Sequence, residues 1–153
     1  MSTMPGRFLE DFSPGQVLDH PFGRTLLEAD CVWFSLLTCN PHQLHTNADF
    51  VAKRGLERLP VANTLTLAVA LGLSVVDVSL NAVANVEWND ITFPAPVLAG
   101  DTVYSSSEIV DVSTHADADR GELTVRTTAR NQDDDVVAVF TRTMIVLQRG
   151  TDT

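Results

Sequence analysis

Apolar residues follow different periods along this chain, and each period predicts a different element. Between Glu28 and Asn40 they fall at Val32, Trp33, Leu36 and Leu37, the spacing of a helix. Glu28 and Asp30 stand where acids favour the positive end of that helix, and Asn40-Pro41 is expected to end it. Asn47 is placed to cap a second, short helix carrying Ala48, Phe50, Val51 and Ala52 and stopping near Gly55. From Val61 to Val76 almost no polar face is left, which predicts a long helix buried on most sides. A buried strand competes, but the run is too long for one and too rich in Leu and Ala.

After Asn81 the period changes to two. Strands are expected over 83–93, ended by Pro94-Ala95-Pro96, and over 101–112, followed by a solvated loop from Ser113 to Gly121. Leu123, Val125, Thr127 and Ala129 alternate with polar neighbours as a half-buried strand. Asn131 to Asp135 reads as a hairpin turn, and Val136 to Gln148 as a closing strand apolar on both faces for much of its length. Upstream, residues 1–14 read as a loose lead-in and Gln16 to Leu27 as one extended segment. The domain proper is expected over 15–150. The economical packing of this order is α+β, a single antiparallel sheet wrapped around one long central buried helix. Such a sheet leaves edges, and pairing two of them hides both, so at least a homodimer is expected.

Composition narrows the function. The 153 residues are 44 % hydrophobic and 20 % charged, enough for one folded domain. Twenty Asp and Glu oppose ten Lys and Arg, a net charge of −10, which disfavours nucleic acid and anionic membranes as partners. Only one of the ten cations is a lysine, Lys53. Cys31 and Cys39 lack metal-type spacing and read as free thiols of a reducing cytoplasm. The first twelve residues contain no long apolar run, and the stretch from Leu65 to Val76 is closed by Asp77, too short for a bilayer span of ~20 residues. Neither export nor membrane anchoring is expected.

The densest polar cluster is Thr38-Cys39-Asn40-Pro41-His42-Gln43-Leu44-His45-Thr46-Asn47, with two of the four histidines. Imidazole suits proton transfer near neutrality, and a loop after a helix can present it to a crevice. The plainer reading makes Asn40 and Asn47 helix caps and the histidines surface residues. A metal site would need a third ligand from elsewhere beside His42 and His45, and none is expected. A serine or cysteine nucleophile is not favoured, since no nucleophile-elbow glycine pattern is present. His20 and His115 stand alone in loop-like contexts and are expected to be solvated.

The Thr38–Asn47 loop resembles the hydratase motif of the MaoC-like proteins, the (R)-specific enoyl-CoA hydratases of hot-dog fold. Other segments match in order: Glu28-Ala29-Asp30, the run from Pro60 to Val76, Phe93-Pro94-Ala95-Pro96-Val97 with Gly100-Asp101-Thr102, and Asn131-Gln132-Asp133. The resemblance covers roughly residues 15 to 148. It implies that one water is held between two side chains and delivered across the double bond of an enoyl thioester, while a backbone N–H at the start of the central helix polarises the carbonyl. It places the acid/base at His45 and the polarising N–H at Asn63. The position of the family's aspartate is Asn40, which can orient water but cannot take its proton. The family's asparagine is His42, a candidate proton carrier or substrate-binding group. The family's His-Gly is Ala62-Asn63, and a later polar residue falls at Ala68.

Asn40, Leu44, His45, Val61, Asn63 and Thr64 are similar to a branch acting on short branched or dicarboxylic acyl-CoAs, of the mesaconyl-CoA and itaconyl-CoA type. The resemblance therefore implies a hydro-lyase with His45 and Asn40 as catalytic residues and His42, Asn63 and Thr64 binding substrate. It implies no cofactor beyond the coenzyme A of the substrate, whose phosphates would meet arginines such as Arg54, Arg58 or Arg126. Two alternatives remain open here. One is a catalytically inactive hot-dog subunit that binds acyl-CoA or an active partner chain. The other is a thioesterase, which would want a carboxylate on the helix where only Asp77 stands near, at its far end.

Overall fold

The alternation at Leu123 to Ala129 becomes the central strand of a computed structural model of the chain, which describes residues 6–114 and 119–150. Alternate residues from Gly121 to Ala129 are buried, whereas Arg126 and Arg130 face solvent. This strand, β5 (Arg120–Arg130), lies between β4 (Thr102–Thr114) and β6 (Val136–Leu147). Beyond them stand β1 (Val17–Asp19) on β4 and β3 (Ala82–Thr92) on β6, giving the order β1-β4-β5-β6-β3, while β2 (Arg24–Thr25) also pairs with β4. All pairings are antiparallel.

The expected β5–β6 turn is present. Asn131 Oδ1 accepts from the N–H groups of Asp133 (3.0 Å) and Asp135 (2.9 Å), and Asp134 adopts φ 67°.

Among the described residues three α-helices accompany the sheet: α1 (Glu28–Leu37), α2 (Ala48–Ala52) and α3 (Asn63–Ser74). Asp30 accepts from the Leu27 N–H at 2.8 Å and so starts α1. Asn47 caps α2 by accepting from Phe50 N–H at 3.1 Å. Helix α3 packs on one face of the sheet against β4, β5 and β6, with Leu65 and Ala70 in a core shared with Val103, Ala129, Ala138 and Phe140. Each large side chain buried there contributes about 1.5–3 kcal/mol. This is the α+β hot-dog arrangement of a sheet around one central helix.

Several expectations change. The segment 16–27 is two short strands rather than one, because the chain bends at Pro21 to Gly23 between its two pairings with β4. Residues 9–12 are not loose: Leu9 and Phe12 are buried with Leu18, Ile109, Leu123, Val125 and Met144 in a second core. Helix α1 ends before Pro41 is reached. Cys39 takes φ 55°, its N–H bonds Leu36 O at 3.3 Å, and Asn40 N–H bonds Ser35 O at 2.9 Å, so a left-handed residue closes the helix.

Helix α3 is buried on one side only. Leu65, Thr66, Ala70 and Ser74 are covered, but Thr64, Ala68, Gly72 and Val76 form an exposed stripe, since a single sheet covers a single face. The helix also runs on as a π turn over Val75–Ser79.

His20 is not solvated. It is 6 % exposed, and its Nδ1 donates to Asp77 Oδ2 at 2.9 Å while Nε2 lies 2.8 Å from Ser107 Oγ, itself 2.9 Å from Thr127 Oγ1. This chain of polar groups ties the segment after β1, the π turn after α3, β4 and β5 together. His20→Ala leaves Ser107 and Asp77 without that partner, at a cost of about 1–3 kcal/mol read as a lower urea midpoint. An unchanged midpoint would show that the chain of polar groups carries no stability. His115, the other histidine expected to be solvated, lies outside the described residues.

Arg142 is also buried, donating from Nη2 to Ser74 Oγ at 3.0 Å and from Nη1 to Asn85 Oδ1 at 3.3 Å. Burial pushes its pKa down to about 10, which leaves it cationic at neutral pH.

Candidate active site

The end of α1, the loop to α2 and the start of α3 converge on one cleft of about 370 Å³. Its walls are Leu44, Pro60, Val61, Ala62 and Pro96, and its polar groups are Asn40, His45, Asn63 and Thr64. Four of the five expected site residues therefore meet. His42 is not among the lining residues.

His45 sits in a 3-10 turn, Gln43–His45, that is shaped by its own neighbours. His42 Nδ1 accepts from Leu44 N–H at 3.1 Å and starts the turn. The His45 ring is partly buried, and its Nδ1 lies 2.7 Å from the carbonyl oxygen of Pro60. A carbonyl only accepts, so Nδ1 carries the proton in the neutral ring. Nε2 then holds the lone pair and is the basic atom.

Asn40 is oriented in the same way. Its Oδ1 accepts from His42 N–H at 3.0 Å, which fixes the amide and leaves the two hydrogens of Nδ2 as donors. Asn40 thus offers hydrogen bonds where a carboxylate would accept them.

At the start of α3, Ala62 caps with no side-chain acceptor, while Leu65 and Thr66 N–H already bond Ala62 O at 2.9 and 3.1 Å. The N–H groups of Asn63 and Thr64 precede the first intrahelical bonds, at the positive end of a twelve-residue helix. Both residues line the cleft. The site therefore combines donors fit for a developing negative oxygen with a single proton acceptor, His45 Nε2.

The support behind His45 is not visible in the loop sequence. Pro60 pairs with Leu98, Val61 N–H bonds Val97 O at 2.8 Å, and Ala99 N–H bonds Leu59 O at 2.8 Å. Gly100 turns the chain at φ 99°, a conformation that suits glycine. Next to it Asp101, 4 % exposed, closes the turn. Asp101 Oδ2 accepts from Leu98 N–H at 2.8 Å, and Oδ1 from Arg58 Nη1 at 2.7 Å and Gln132 Nε2 at 3.2 Å. Arg58 also donates to Ala99 O at 3.2 Å. Burial pushes the Asp101 carboxyl up, but these donors and the Arg58 charge outweigh it and hold its pKa below the ordinary carboxylate value. The only sequence signals for this support are Gly100-Asp101-Thr102 and Gln132, which carry no chemistry by themselves. Asp77, the acid weighed for a thioesterase, is held by His20 and is not among the cleft's lining residues.

Residues 11–131 match the MaoC like domain family. A beta-methylmalyl-CoA dehydratase of Chloroflexus aurantiacus is 34 % identical over 96 % of this chain and 42 % of its own length. A mesaconyl-CoA hydratase of Cereibacter sphaeroides is 30 % identical over 99 % of this chain and 44 % of its own length. A solved structure of a MaoC domain protein dehydratase from Chloroflexus aurantiacus superposes with TM-score 0.91 at 33 % identity, covering all of this chain and 44 % of that one. The chain thus spans less than half the length of these relatives. On a match that runs from the turn before β1 to the β5–β6 hairpin and takes in every lining residue of the cleft, the chain belongs to the MaoC-like dehydratase family.

Proposed function

We propose that this chain is a hydratase/dehydratase that adds water to, or removes it from, the double bond of an enoyl-CoA thioester. The observation that carries this reading is the fixed tautomer of His45, whose basic Nε2 shares a cleft with the free N–H groups at the start of α3. In hydration, the thioester oxygen takes its hydrogen bond from Asn63 N–H. Asn40 Nδ2 holds the water oxygen, and Nε2 removes one proton as that oxygen bonds the β-carbon. The enolate so formed is stabilised at the helix start, and the imidazolium returns the proton to the α-carbon. The net change is one water added, with no cofactor beyond coenzyme A in the substrate. Dehydration runs the same steps backwards.

The names of the two relatives support a methyl-branched or dicarboxylic acyl group. A donor-rich cleft with no carboxylate among its lining residues suits a substrate that carries a free carboxylate. The working unit is read as a homodimer. Among the described residues strand β3 bonds only β6, so its other edge is open along eleven residues, and the exposed stripe of α3 faces away from the sheet. Relatives more than twice as long have room for a second unit of this size. Among the described residues no helix is long and apolar enough to cross a membrane. The cytoplasm suits its free cysteines, of which Cys31 is buried and its thiol pushed up by burial and then by the Asp30 charge.

One observation favours a second reading, an inactive acyl-CoA-binding subunit: the only proton acceptor among the cleft's lining residues is His45, with an amide at Asn40. Turnover of crotonyl-CoA, mesaconyl-CoA and itaconyl-CoA, followed by loss of enoyl-thioester absorbance in dimeric protein, decides between them. Hydration of mesaconyl-CoA or itaconyl-CoA is expected. A folded dimer inert to all three would establish the binding subunit instead.

A further inference from the structure

We propose that Arg54, carried on Phe50 and approached past His42, is a phosphate subsite for the diphosphate end of coenzyme A; this rests on the acyl-CoA reading above. The observation is a series of ring contacts that starts at His45 in the cleft and continues through His42 and Phe50, neither of which lines it. The His45 and His42 rings are 6.0 Å apart, His42 meets the edge of Phe50 at 6.2 Å, and the Arg54 guanidinium lies 3.5 Å over the Phe50 ring. These contacts keep the Arg54 guanidinium within the reach of an extended pantetheine arm, which separates the thioester from the phosphates.

The charges single out Arg54. Arg24, Lys53, Arg58, Arg120, Arg130 and Arg149 each pair with a carboxylate. Arg142 is buried, Arg126 stands on the outer face of β5 opposite Glu108, and Arg7 lies beside Asp11 at the start of the chain. Arg54 has no carboxylate partner among the described residues, and its one hydrogen bond is a long one from Nη1 to Phe50 O at 3.4 Å.

Stacking on Phe50 holds the exposed guanidinium in place while leaving Nε and Nη2 free as donors. In a chain of net charge −10, an exposed cation with no ion pair is where an anion is best received. His42 adds a donor on the way: its Nδ1 accepts from Leu44 N–H, so the hydrogen of the neutral ring is on Nε2. This gives His42 a place along the arm, outside the reacting atoms.

The test is calorimetric titration of the full chain with coenzyme A and with pantetheine, which lacks the phosphates. Arg54→Ala is expected to weaken coenzyme A roughly tenfold or more, the loss of a charge-assisted hydrogen bond, and to flatten its salt dependence. Pantetheine binding should be unchanged, Arg54→Lys should restore part of the loss, and Arg126→Ala should have no effect. Equal coenzyme A affinity in wild type and Arg54→Ala overturns the subsite alone, as does an equal loss for pantetheine. Wild-type protein that binds neither compound overturns the acyl-CoA reading itself.

Discussion

His45→Ala should abolish hydration while leaving the protein folded. General acid–base catalysis contributes about 10²–10⁴-fold, and here one group carries both proton transfers, so the loss belongs at or beyond the upper end. The folded state loses one hydrogen bond, to Pro60 O, worth about 1 kcal/mol, and a partly buried ring at the cleft wall. Turnover and thermal midpoint should therefore separate: kcat falls by orders of magnitude while the midpoint moves by a few degrees. Asn40→Ala should cost less, since it removes a donor to the water and the cap on His42 N–H but no proton acceptor. Activity retained in His45→Ala would take the proton transfers away from this ring, and with them the one-base mechanism.

The strands and helices are legible in the sequence wherever the pattern is local. The alternation of Leu123 to Ala129 predicts the buried face of β5, and Asp30 and Asn47 mark helix starts because their side chains bond backbone three residues away. The end of α1 is harder to read, since Pro41 is the conspicuous breaker whereas Cys39 does the turning, in a conformation that cysteine seldom signals. His20 escapes for a different reason. Its partners lie 57 and 87 residues along the chain, and no spacing rule reaches that far.

The apolar helix reads as buried on most sides because composition reports what must be buried, not whether this chain or a second one covers it. In the site, the side chains are legible in the loop and the helix start, but the atom that orients His45 is a backbone carbonyl. Every residue has one, so sequence carries no mark of it. The same holds for Asp101, whose identity is plain and whose purpose depends on Arg58 and Gln132 arriving from 43 and 31 residues away.

Asp101→Asn should show what that carboxylate does for both stability and catalysis. The wild-type group is buried and accepts from Leu98 N–H, Arg58 and Gln132, and its pKa is held below the ordinary value. A depressed native pKa means that the unfolded chain binds the proton more readily. The stabilisation is thus complete above the unfolded carboxyl pKa of about 3.9 and is lost as pH falls through the lower native value.

At neutral pH the variant should be less stable by about 1–3 kcal/mol, because Arg58 loses its charged partner beside a buried turn. Below pH ~4 that difference should shrink, as the wild-type group gains its proton and the variant has none to gain. Catalysis supplies the sharper readout. The turn closed by Asp101 sets the register of 59–61 against 97–99, hence the position of Pro60 O and the tautomer of His45. The variant should lower kcat more than it raises KM, and nitrogen NMR of the His45 ring should show the Nδ1–H form losing ground to Nε2–H. A destabilised variant with wild-type kcat and an unshifted tautomer would make Asp101 a clamp on the fold with no hold on the base.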